Sequence, residues 1–275
     1  MRITGENLDE TIEANERISK TVASHIAYIE QRIIKWTSLS VEQQALEILK
    51  EYHLIEVPIP DENLGGAIRQ FGDGKAVPII NTAQPRVYQY FIYWHEVFHL
   101  TEYAEMNEPK KSNYEISTEF DLNERKADYF ASQMLFRNSD LYDYYLSLKH
   151  SDFFVKIAHC IKSFKAPYKA ILIELYQLAR RNRNHLLQIE VKSFFDQRLT
   201  INEWSALFQE HALDDTLIKP SLVVNLSSIK NAIMKSIDKH PDVDMYKDNL
   251  EVILHWENKY KAVRAQMKER YDERL

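Results

Sequence analysis

Cysteine is almost missing from this chain of 275 residues: Cys160 is the only one. A single thiol cannot close a disulfide within the chain, and a cysteine-built zinc site is excluded. Any bound metal must therefore take histidine and carboxylate ligands. Glycine is nearly as scarce, five in all, and Gly65, Gly66, Gly72 and Gly74 fall in one ten-residue window. Positive charge is not in excess either: 35 Lys and Arg against 41 Asp and Glu leave a net −6. A protein that held nucleic acid by neutralising phosphates would carry the opposite sign, so DNA is not expected as the main partner. No apolar run approaches the ~20 residues that cross a bilayer. The N-terminal "MRITGENLDETIEANER" lacks an apolar signal core. A cytoplasmic protein with no membrane partner is the expectation.

What remains reads mostly as helix, because apolar residues recur at intervals of three and four. Residues 8–36 carry Ile12, Ile18, Val22, Ile26, Ile29 and Ile33 on one side. "SVEQQALEILKEYHL" follows, with Ser40 as its cap, Leu46, Leu49 and Leu54 inside, and Pro58 as its end. Strand and turn signals are confined to 57–82, where "AIRQF" and "AVPIIN" flank a "GDG" turn. Pro85 opens a helix that runs through "WHEVFHLTEYAE", and the polar "MNEPKKSNYEIS" separates it from another near 118–136. From about 139 onward every pattern is helical, with breaks at Ser151, Pro167, Thr200, Pro220 and Pro241. The expected fold is α+β, mostly α. Residues 1–138 hold N-terminal helices and a core of a small sheet with two motif helices. Residues 139–275 form an all-helical region, with "RNSD" at the boundary.

The chemistry is concentrated in "WHEVFHL". Residues four apart on a helix face the same way, so His95 and His99 can present two imidazoles to one ion. Glu96 lies about 100° round the helix, where it reaches water on that ion rather than the ion itself. This is the HExxH arrangement of zinc hydrolases. Zinc lowers the pKa of its water to about 7, and Glu96 can take that proton and pass it to a leaving amine. Three protein ligands and one open position are usual for a catalytic zinc. No third histidine follows directly. Glu102 shares the face but stands further along the axis, which disfavours it as a ligand.

The third ligand is expected from "LNERKADYFASQML". Glu124 and Asp128 are four apart and share a face with Ala127 and Ala131, whose small side chains let a second helix approach the first. Glu124 then reaches the metal, and Asp128 accepts the N–H of a ligating histidine. Arg125 and Lys126 are expected to face solvent. The outcome is one Zn2+ per chain on His95, His99 and Glu124.

With those residues in view, the chain resembles the ImmA/IrrE-type metallopeptidases over roughly residues 40–180. In that family a strand ending near an Asn is followed by an HExxH helix and then by a helix carrying Glu-x-x-Ala-Asn/Asp-x-Phe-Ala. The counterparts here are "VPIIN", "HEVFH" and "ERKADYFA", in that order. The second helix ends "MLFRNSD", without the family's proline, and a helix-turn-helix-like unit follows near 151–182. The resemblance implies a zincin-like core and a metal-dependent endopeptidase. It also implies a partner, a helix-turn-helix repressor of a phage, mobile-element or stress regulon, whose cleavage releases its genes. Two further readings stay open: an antirepressor that sequesters its partner without cutting it, and the toxin of a toxin–antitoxin pair.

Smaller features complete the expectations. "AVPIIN" is a candidate sheet edge that binds substrate as an added strand through Val77, Ile79 and Asn81, since Pro78 suits an edge. The acidic total favours a solvated helix end at Arg180, Arg181 and Arg183 over contact with DNA. His25, His53 and His159 read as structural or surface residues. A Tyr or His that steadies the oxyanion is expected. Tyr103 and Tyr129 sit on the motif helices, and the sequence does not choose between them. The C-terminal helices are assigned to recognition of the substrate.

Overall fold

The computed structural model describes residues 3–71, 75–105, 122–137 and 140–272. The fold is α+β and mostly α, as expected. A long helix α1 (Leu8–Ile33) ends in a 3-10 turn at Ile34–Trp36, and α2 (Val41–Glu51) follows. Gln43 accepts from the Ser40 N–H at 3.1 Å at the start of α2. Helix α2 ends before Pro58 is reached: His53 takes a positive φ of 60° and the chain turns into β1 (Ile55–Val57). That strand begins at Ile55, two residues before the window in which strand signals are visible. Strands β2 (Gly66–Gln70) and β3 (Ala76–Asn81) pair antiparallel, and the Phe71 N–H donates to the Lys75 carbonyl at 2.9 Å. The "GDG" turn, residues 72–74, lies outside the described residues.

The sheet order is β1-β3-β2, with β1 parallel to β3. This overturns the edge assignment of Val77, Ile79 and Asn81. Strand β3 is central, and those three residues fall in register with Arg69, Ala67 and Gly65 of the β2 side. Pro78 is tolerated there for another reason. Its nitrogen faces the β1 side, where the ladder begins only at Ile79↔Ile55, so no partner loses a bond. Asn81 is fully buried and serves the loop before β2. Its Oδ1 accepts from the Ile59 and Ala83 N–H groups, and its Nδ2 donates to the Asp61 and Leu64 carbonyls.

Helix α3 (Arg86–Glu105) leaves β3 through Pro85, whose carbonyl accepts from Tyr88 and Gln89. It is apolar on nearly every side: Val87, Phe91, Ile92, Trp94, Val97 and Phe98 are all buried. A helix of that kind belongs at the centre of a core, and α3 packs on α4 (Leu122–Leu135), on α2 and on the sheet. The "MNEPKKSNYEIS" stretch and the start expected near 118 lie outside the described residues.

The rest is helical: α5 (Leu141–Ser147), α6 (Phe153–Phe164), α7 (Tyr168–Arg181), α8 (His185–Phe194), α9 (Ile201–Glu210), α10 (Ser227–Lys239) and α11 (Asp244–Asp272). One buried cluster joins residues from Leu8 through Ile218. The segment between Pro220 and Leu226 departs from the helical expectation. Asn225 forms an antiparallel bridge with Glu56 on the outer edge of β1, and the Leu222 N–H donates to the Thr82 carbonyl. Buried Glu56 completes the tie, accepting from Tyr93 of α3 and from Asn225 Nδ2, both at 3.0 Å. Among the described residues no helix is long and apolar enough to cross a membrane.

Candidate metal centre

Two helices bring the site together. On α3, His95 and His99 point the same way one turn apart. Helix α4 comes close because Ala127 and Ala131 are fully buried at the contact, beside Phe130, which packs on Trp94 and Phe98. His95 Nε2 lies 3.2 Å from His99 Nε2, 3.1 Å from Glu124 Oε2, and His99 Nε2 lies 3.3 Å from Glu124 Oε1. Bonds of about 2.0–2.1 Å in a tetrahedron hold ligand atoms about 3.3 Å apart. The two Nε2 atoms stand about that far apart, and each has one Glu124 carboxylate oxygen at a similar distance, so these residues could hold a metal ion.

The outer nitrogens point to the same use. His95 Nδ1 is 3.0 Å from Asp128 Oδ1, and His99 Nδ1 is 3.7 Å from Glu102 Oε2. A carboxylate at Nδ1 places the proton there and turns the Nε2 lone pair inward. With both Nε2 atoms beside the Glu124 carboxylate, the group could hold a cation. Without one, the same field puts protons on the rings. Burial opposes the charge on His95, but Asp128 and Glu124 outweigh it and raise its pKa well above the usual value. Burial likewise opposes protonation of His99, and Glu102 and Glu124 overcome it, raising the pKa to about 9. Hydrogen bonds to His95 and His99 drive the Glu124 carboxyl far below its ordinary range.

Glu96 is buried beside this group. Burial raises its pKa, the histidines oppose the rise, and the Glu124 charge adds to it. Its Oε1 lies against Gly66 of β2, where a Cβ would come within 2.7 Å. Gly66 is thus fixed by contact with the glutamate, a constraint that only the packing of strand on helix reveals. The open side is α4, where the Glu124 side chain is 57% exposed.

Several residues take roles that sequence reasoning missed. Glu102, disfavoured as a ligand, stands behind His99 as Asp128 stands behind His95. Arg125 does not face solvent: it is 6% exposed, and its Nε donates to Asn15 Oδ1 of α1 at 2.8 Å. Its Nη1 reaches Asp128 Oδ2 at 4.0 Å, so a buried cation backs the carboxylate that orients His95. Tyr129 is buried among Gln177, Arg181 and Glu174, and the side chain of Tyr103 lies outside the described residues. Another tyrosine that feels the centre's charge is Tyr88, two turns before His95. Burial first and the Asp128 carboxylate second raise its pKa, and its ring would touch a Cβ at Gly65. Compared with protein-family models, with curated proteins and with solved structures, the chain finds no match.

Proposed function

We propose that the chain is a zinc-dependent endopeptidase of the ImmA/IrrE type that cuts a helix-turn-helix repressor. The observation that carries the enzymatic part is the convergence of His95, His99 and Glu124, with Asp128 and Glu102 behind the rings and Glu96 buried alongside. The nitrogen and oxygen donor set suits zinc, which, bound on these three residues, supplies Lewis-acid chemistry for hydrolysis. Glu96 takes the proton of the attacking water and later delivers it to the leaving amine. Its burial keeps the carboxylate basic enough for both transfers.

The sheet beside the centre offers a place for a peptide. Strand β2 is a sheet edge, and its 65, 67, 69 and 71 positions bond to β3. The N–H and C=O groups of Gly66, Ile68 and Gln70 therefore point away from β3, where an extended segment can add as another strand. Since Gly66 touches Glu96, that segment runs past the base. The repressor as substrate rests on the order and spacing of "VPIIN", "HEVFH" and "ERKADYFA".

The test is metal analysis together with Glu96→Gln. One zinc per chain is expected. The variant should keep the zinc and the partner and lose cleavage by about 10²–10⁴-fold. Full relief of repression by Glu96→Gln would mean that the partner is sequestered rather than cut.

A further inference from the structure

None of the described residues between Ser227 and Glu269, which make up α10 and most of α11, is buried. Helices in proteins owe most of their stability to packing an apolar face, so this hairpin carries apolar surface that its own contacts leave open. One row of α11 faces α10: Leu250, Ile253, Glu257 and Tyr260 are partly covered, and Glu257 meets Lys230 at 3.2 Å. A second row runs beside it through Met245, Asn249, Val252, Trp256, Lys259 and Val263. The intervals alternate between four and three, those of a coiled-coil seam. Met245, Val252 and Trp256 in this row are 45–56% exposed.

Two properties select the partner. The row reads the same from both ends. A second α11 laid antiparallel across it sets Val252 against Trp256 of the second copy, Met245 against Val263 of the second copy, and Asn249 against Lys259 of the second copy. Charge selects the same direction. Between Asp244 and Glu257 the helix has four acidic residues and one basic; between Lys259 and Arg270 it has five basic and one acidic. Antiparallel pairing sets the acidic half on the basic half twice, whereas parallel pairing opposes like charges. We propose that the chain forms a twofold dimer through this row of α11, with α10 and α11 of each copy completing an antiparallel four-helix bundle. The proposal is independent of what the metal centre cleaves.

Light scattering and sedimentation of the full chain test it. Twice the chain mass is expected at micromolar concentration. Val252→Glu with Trp256→Glu should weaken self-association at least about 100-fold while far-UV dichroism and zinc content stay unchanged. Asp248→Lys, beside the row, and Lys259→Glu, within it, both at exposed positions, should each weaken it about tenfold. Mixed in equal amounts, the two single variants should associate with each other as tightly as the unaltered chain, because each mixed contact pairs opposite charges again. A monomeric unaltered chain overturns the proposal. So does a dimer indifferent to Val252→Glu with Trp256→Glu, or a mixture no tighter than its components. A monomer that binds its protein substrate through Val252 and Trp256 also overturns it and gives the row to the substrate.

Discussion

The helix pair α3 and α4 and the helix pair α10 and α11 handle polarity in opposite ways. The first buries ionisable groups: His95, Glu96 and Arg125 lie inside, each matched to an opposite charge or a polar partner. The second leaves apolar groups in water, with Trp256 and Val252 about half exposed and none of its described residues buried. Each departure costs stability that an ordinary helix pair does not spend. The contrast teaches where each pair directs its interactions. The first gathers charge around a point suited to a cation, and the second holds apolar surface for another chain.

The sharpest break of this comparison is a core truncation. Phe98 is fully buried between Phe130 and His25. Phe98→Ala should destabilise the fold by about 3–5 kcal/mol, the transfer and cavity cost of a buried aromatic. Denaturant unfolding measures it, and a loss under 1 kcal/mol would show that α3 is not the centre of the core. Next in size is the carboxylate behind His95. Asp128→Asn keeps the shape of the side chain but removes the charge that fixes the tautomer. Zinc affinity should fall about 10–100-fold, read by competition with a chromophoric chelator. Unchanged affinity would reduce the 3.0 Å contact to coincidence.

The parts legible from sequence are those that depend on one helix at a time. That His95 and His99 share a face follows from helical geometry, and so does the pairing of Glu124 with Asp128; the structure brings both pairs together. The parts that were not legible depend on partners far along the chain. Arg125 seemed a solvent residue because its partner, Asn15, lies 110 positions away on α1. Strand β3 seemed an edge because strand order is set by β1 and β2 together, and a proline is tolerated wherever its flank has no neighbour. The segment around Asn225 carries no alternating pattern, and its extended form comes from Glu56, 169 positions away. The position of Glu102 along the helix axis disfavours it as a ligand and places it instead near the far nitrogen of His99.

A pH series tests the first pair's charge in another way. The pKa of His99 in the metal-free fold is about 9, raised by Glu102 and Glu124 against burial, above the ordinary 6.5. A raised histidine pKa contributes stability that is complete below the unfolded value and is lost as pH climbs through the folded one. The metal-free chain should therefore lose stability between about pH 6.5 and 9 from this group. Zinc competes with the same proton, so its affinity should rise over that interval and its binding should release protons. Thermal melts with and without zinc should diverge as pH increases. Parallel melts across the interval would mean that His99 does not bind the ion.

The smallest effect sharpens the other side of the comparison. Leu254 is 41% exposed on α11, nearly as open as Trp256, yet it lies on the far side of the row that faces α10. If apolar exposure alone drove association, Leu254 would matter as much as Val252. If the Met245–Val263 row is the interface, Leu254 projects away from the second copy. Leucine and alanine have similar helix propensities, so Leu254→Ala tests position with little change in the helix itself. It should alter unfolding stability by no more than about 0.5 kcal/mol and leave the mass in solution unchanged. A chain that falls to monomer mass with Leu254→Ala would place the contact on the opposite face and remove the antiparallel register, since Leu254 has no counterpart in that row.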